Sequence, residues 1–143
     1  MGPIVCATRG GEASRRTQER AIVLAHERGD PLIFFFVADT NFTQPTNEAL
    51  AEALADELEQ LGRRLLCIAQ ARAHEQGVSA DMVVRRGVLR QAIEGFLREV
   101  NASTLVIGGP QTDAETRAFA PGEVSQFAQE IHVATGAEVV VVE

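Results

Sequence analysis

Short apolar runs alternate with long amphipathic segments along the whole chain, and few folds accommodate that alternation. Ile4 to Thr8, Pro31 to Ala38, Asp81 to Arg86, Thr104 to Ile107 and Glu138 to Glu143 read as strands. Between them, Ser14–Arg28, about Asn47–Gln76, about Leu89–Val100 and about Gly122–Ala134 carry apolar residues at helical spacing. Strands separated by helices cannot pair as tight hairpins, so the order β-α-β-α-β-α-β-α-β implies a parallel sheet. Right-handed crossovers then cover both faces with helices. The second run, LIFFFV, is continuously apolar, as a strand buried on both faces should be. Phe34, Phe35 and Phe36 are expected between the helix layers. In the second helix, Leu50, Leu54, Leu58, Leu61, Leu65 and Ile68 recur at spacings of three and four and predict the apolar face. Asn47 reads as its cap and Gly77 as its stop.

At 143 residues without a break in composition, the chain is expected to form one doubly wound α/β domain over residues 1–143. Such sheets bind ligands beyond the carboxyl ends of their strands, where the strand order reverses. The loops after strands one, two and four therefore matter most. Strand one runs into Thr8-Arg9-Gly10-Gly11-Glu12, whose adjacent glycines permit a tight turn, with a plain strand-to-helix turn as the alternative. Strand four runs into Gly108-Gly109-Pro110 and a polar loop longer than the usual connection. The last helix opens on Gly122-Glu123-Val124-Ser125. Free amides at a helix start favour an anion, and Glu123 places a carboxylate at the same point.

Several chemistries are excluded by residue type. All 13 basic residues are arginine, so no lysine can serve a phosphate loop, a Schiff base or a proton transfer. Tyrosine and tryptophan are absent. His26, His74 and His132 are far apart, and no metal-ligand spacing occurs. Cys6 and Cys67 are expected to be small buried hydrophobes, and Met82 a core residue. The arginine pairs at 15–16, 63–64 and 85–86 are expected to be solvated. No nucleophile has a base partner in sequence, so no catalytic residue is assigned and a non-enzymatic role is expected. A formal charge of −7 argues against nonspecific nucleic-acid or anionic-membrane binding. No run reaches the length of a membrane span, and the N-terminus lacks a signal-peptide pattern, which predicts a cytoplasmic protein.

Size, element order and the segment from Val83 to Val142 together resemble the universal stress proteins. Arg86-Gly87-Val88-Leu89-Arg90-Gln91-Ala92-Ile93 is similar to that family's glycine-centred helix start, and GEVSQ to its GSVSE-type start. The resemblance implies strand order 3-2-1-4-5. It also implies a nucleotide site at Arg9, Gly10, Val37, Gly87, Gly108, Gly109, Gly122, Glu123, Val124 and Ser125. The family's pattern is not intact, however. The aspartate that ends strand one becomes Arg9, and the following serine becomes Gly11. Counting back from Gly122 puts the first motif glycine at Gly109 and the second at Thr112. Glu123 replaces the serine or threonine after the last glycine.

A stress-response or regulatory protein with a degenerate ATP motif is therefore expected, with no cofactor required. The alternative is a member that still holds ATP or AMP through backbone groups, with little or no hydrolysis. The resemblance also makes strands one and four neighbours, so Arg9 and Glu123, two exchanged charges, could pair and fill the vacated pocket, the alternative being that each faces solvent independently. The resemblance further implies a homodimer formed by the last strand through Val139, Val140, Val141 and Val142. An unidentified protein partner remains a further possibility.

Overall fold

The computed structural model describes residues 2–8, 11–39, 48–108 and 123–142. Its elements run β1 (Ile4–Ala7), α1 (Gly11–Arg28), β2 (Leu32–Ala38), α2 (Glu48–Glu75), β3 (Ala80–Arg86), α3 (Leu89–Val100), β4 (Thr104–Gly108), α4 (Glu123–Thr135) and β5 (Glu138–Val142). All four strand pairings are parallel, in the order β3-β2-β1-β4-β5, as expected.

Side-chain alternation along the strands separates two cores. Ile4, Cys6, Phe34, Phe36, Ala38 and Val106 point to the α1 and α2 side. Val5, Ile33, Phe35, Leu105 and Ile107 point to the α3 and α4 side, where Ile93, Phe96, Leu97, Phe127 and Ile131 meet them. The three consecutive phenylalanines thus serve both layers. Phe35 stacks on Phe96 with ring centroids 4.3 Å apart and planes 3° from parallel.

The second helix departs from the expected leucine stripe. Its buried residues are Ala55, Gly62, Leu66, Ala69 and Ala73. Leu58 and Leu65 only flank that core, while Leu50, Leu61 and Ile68 are exposed. The reason is volume. Phe34 and Phe36 already fill the space above β2, so the helix descends onto the sheet mostly along small residues, with Leu66 the buried leucine among them. Leucine and alanine both fit a helical period, and periodicity alone favours the larger side chain.

Three further expectations need correction. Cys6 is buried, and desolvation pushes its thiol well above the ordinary range, but Cys67 is exposed. Its Sγ lies 3.8 Å from Met82 Sδ. Met82 is itself exposed, because β3 is an edge strand and its outer side lacks a neighbour to cover it. Arg86 is not simply solvated. It donates to Glu59 at 2.6 Å, to Glu52 at 2.8 Å and to Asp56, clasping the end of β3 to one face of α2. Those carboxylates hold Arg86 protonated more firmly than usual, with Glu59 the largest contributor. The guanidinium's hydrogen bond in turn lowers the pKa of Glu59.

The first helix also starts earlier than its apolar pattern does, at Gly11 rather than Ser14. Its opening turn lies beyond the apolar stripe, and so periodicity misses it. At the opposite end of α2, Gly77 adopts a left-handed φ of 78° and stops the helix as expected.

Candidate functional site

Two chain reversals meet where β1 lies between β2 and β4. Ile4, Val5 and Cys6 are in register with Thr104, Leu105 and Val106, so Thr8 and Gly108 face each other just beyond the ladder. This is the topological switch point of the sheet, where the crossovers leave in opposite directions, the place at which open α/β sheets take their ligands.

Thr8 is buried there and held from two helices. Gln18 of α1 donates through Nε2 to Thr8 Oγ1 at 3.0 Å, and Arg72 of α2 donates to Gln18 Oε1 at 2.8 Å. Gln18 is 2 % exposed, so this chain of partners satisfies polar atoms that would otherwise be costly to bury. Beside Thr8, α1 approaches β4 so closely that a Cβ on Gly108 would lie 3.1 Å from Thr17 Oγ1. Glycine at 108 thus reflects packing against α1.

The turn from β3 into α3 supplies the next wall. Gly87 has φ 142°, a conformation that side chains rarely adopt. Val88, the residue before α3, provides no side-chain cap. Instead Asp39, one residue past β2, accepts a hydrogen bond from the Leu89 N–H at 2.9 Å. Sequence reading did not single out Asp39. The available signal was indirect: α3 begins without a local Ser, Thr, Asp or Asn, so its amides need an acceptor from elsewhere. Replacing Asp39 with alanine should cost about 1 kcal/mol, within the usual range for a lost cap. Exchange of the Leu89 amide should accelerate, while Asp39→Asn, which keeps an acceptor, should lose less. Unchanged protection at Leu89 in the alanine variant would contradict this capping role.

Of the expected nucleotide-site residues, Val37, Gly87 and Gly108 all lie at the carboxyl ends of their strands. Val37 is half-buried and packs toward the α3 and α4 core. The last helix begins at Glu123, so Glu123, Val124 and Ser125 form its first turn, and Ser125 is exposed. Arg9, Gly10, Gly109 and Gly122 lie outside the described residues, and so does any Arg9–Glu123 pair. Val139 to Val142 are each half-buried along β5, the strand at the other edge of the sheet.

The model of the universal stress protein family matches residues 1–133. The chain belongs to that family. Solved universal stress proteins share its fold. One from Burkholderia pseudomallei is 22% identical, with 99% of this chain and 95% of that chain covered and a TM-score of 0.74. Universal stress protein UspA from Lactobacillus plantarum is 15% identical, with 99% and 97% covered and a TM-score of 0.78. A universal stress protein from Archaeoglobus fulgidus, solved in complex with dAMP, is 18% identical, with 100% and 98% covered and a TM-score of 0.65. Among curated proteins, none matches the sequence. Within the described residues of this universal stress protein, no helix is long and apolar enough to cross a membrane.

Proposed function

We propose that this universal stress protein is a non-enzymatic cytoplasmic stress-response protein that does not hold ATP in its family's usual way. The observation that carries this reading is the start of α4 at Glu123. A helix's first amides attract anions, and a glutamate in place of serine or threonine at that start disfavours a phosphate there. Arg9 works in the same direction, since it stands where the family pattern has a nucleoside-contacting aspartate. Asp39, the carboxylate at the end of β2, is engaged with the start of α3. The protein acts as a homodimer through β5, and its partners are proteins or metabolites rather than a consumed substrate.

A second reading has its own support. The Archaeoglobus fulgidus universal stress protein was solved with dAMP, and Gly87, at the carboxyl end of β3, is exposed. On that reading AMP or ATP binds through main-chain groups.

Thermal unfolding with and without millimolar ATP, ADP and AMP separates the two. A ligand present at roughly 100 times its dissociation constant stabilises the native state by about 2.7 kcal/mol. For a chain of this size that raises Tm by roughly 8–10 °C. The parent protein should show no such shift, and the double variant Arg9→Asp with Glu123→Ser should gain one with ATP. A clear shift of the parent with ATP would overturn the proposal in favour of the second reading. If the double variant gains nothing, the exchanged charges are not what closed the site.

A further inference from the structure

The sheet has a second edge, β3, whose exposed side is built to accept a particular neighbour. Gly87 N–H donates to Ala38 at 3.3 Å, which places the backbone groups of odd-numbered β3 residues against β2. By the alternation of a parallel ladder, the N–H and C=O groups of Met82 and Val84 then point to the open edge. Edge strands of this kind are commonly blunted by charge, and β3 does carry charge at Asp81 and Arg85. The two signs are opposite, however, and the residues sit symmetrically two positions either side of Val83, on one face of the strand. Like charges would repel a second copy of the strand, whereas these complement one.

We propose that β3 is a self-association surface that pairs antiparallel with β3 of a second copy about a two-fold axis at Val83. In that register each Asp81 lies opposite Arg85 of the other copy, Met82 lies opposite Val84, and Val83 meets itself. Met82 and Val84 exchange about four backbone hydrogen bonds across the axis. A shift of the axis by one residue in either direction places Asp81 or Arg85 opposite an uncharged residue, so charge selects this register.

Other groups hold the edge ready for pairing. At one end Gln70 of α2 donates to the Ala80 carbonyl at 2.6 Å, and at the other Arg86 is clasped by three α2 carboxylates. Both anchors keep β3 extended and leave its middle open. Asp81 is exposed and has no salt-bridge partner among the described residues. Arg85 reaches Glu99 at 3.3 Å, but both side chains are at least half exposed, and such a pair is exchanged at little cost. Met82, an exposed large apolar side chain on this edge, becomes covered.

This surface is separate from β5, and sedimentation velocity distinguishes them. With both edges paired, the wild type assembles beyond a dimer. Val140→Lys, which charges β5, should stop at a dimer. Asp81→Arg should also stop at a dimer, since it sets Arg opposite Arg, and Asp81→Arg with Val140→Lys should be monomeric. In the Val140→Lys background, Asp81→Arg or Arg85→Asp alone should weaken the dimer by at least about tenfold. The swap Asp81→Arg with Arg85→Asp should restore it. Far-ultraviolet circular dichroism verifies that each variant folds. A wild type that is dimeric, with Val140→Lys dimeric and Asp81→Arg monomeric, supports β3 pairing and removes the β5 interface instead. A monomeric Val140→Lys variant, single reversals without effect, or a folded swap that fails to restore the dimer would each overturn the β3 proposal.

Discussion

Phe35→Ala should lower the unfolding free energy by about 3–5 kcal/mol, the usual cost of truncating a buried aromatic. Phe35 is completely buried on β2 and stacks face to face on Phe96 of α3. It is therefore the link between the sheet and the helix that leads toward β4. Truncation removes most of a large apolar side chain from a close-packed layer and leaves Phe96 without its stacking partner. Collapse is restricted, because Val5, Leu105 and Ile107 come from strands fixed by their own ladders. Against a typical total of about 5–15 kcal/mol, the loss is a large fraction. Urea denaturation would measure it as a lower midpoint with a similar slope. Phe35→Leu, which retains most of the volume, should cost about 1.5 kcal/mol or less. A loss below about 1 kcal/mol for the alanine variant would mean that the Phe35–Phe96 stack does not join the layers.

Gly62→Ala and Gly95→Ala should change stability in opposite directions, although both glycines lie inside helices. Alanine is better than glycine in a helix interior by about 1 kcal/mol, chiefly because glycine loses more chain entropy on folding. At Gly95 of α3 a Cβ would meet nothing within 4 Å, so that gain should appear, at about 0.5–1 kcal/mol. At Gly62 of α2 a Cβ would lie 2.7 Å from Phe36 Cε1 and 2.8 Å from its Cγ, well inside contact distance. Phe36 is buried and cannot swing away without opening the α2–β2 layer. Overpacking of this kind costs about 1–3 kcal/mol and should outweigh the helical gain. Thermal or urea unfolding of the two variants side by side gives the comparison. If Gly62→Ala is stabilising, α2 can lift from the sheet without loss, and the close approach is not a structural requirement.

These two glycines show where local sequence stops being informative. Nothing within a few residues distinguishes Gly62 from Gly95. The difference is the ring of Phe36, which comes from a strand more than twenty positions away. The leucine stripe of α2 fails to predict the buried side for a related reason. Periodicity reports that a helix has a preferred side, but the rings above β2 decided that its small residues would face inward. The exposure of Met82 and Cys67 likewise followed from strand order, which puts β3 at an edge.

The site was legible only in part. The places of Gly87 and Gly108 at strand ends, and of Glu123 at a helix start, were visible in the chain itself. Asp39 and the Thr8–Gln18–Arg72 relay were not, since their partners are 50, 10 and 54 residues apart in sequence for the three hydrogen bonds concerned.

The sequence by itself determined the α/β class, the order of elements and the five-stranded parallel architecture. Those follow from short continuous apolar runs, from a helical period of 3.6 and from helix stops, which are local properties of the chain. The tertiary structure alone decided which side of α2 is buried, which carboxylate caps α3, where Arg86 finds its acids and that Asp81 and Arg85 share an open edge. Each of these depends on volume or charge brought together from distant segments, and no local period encodes that.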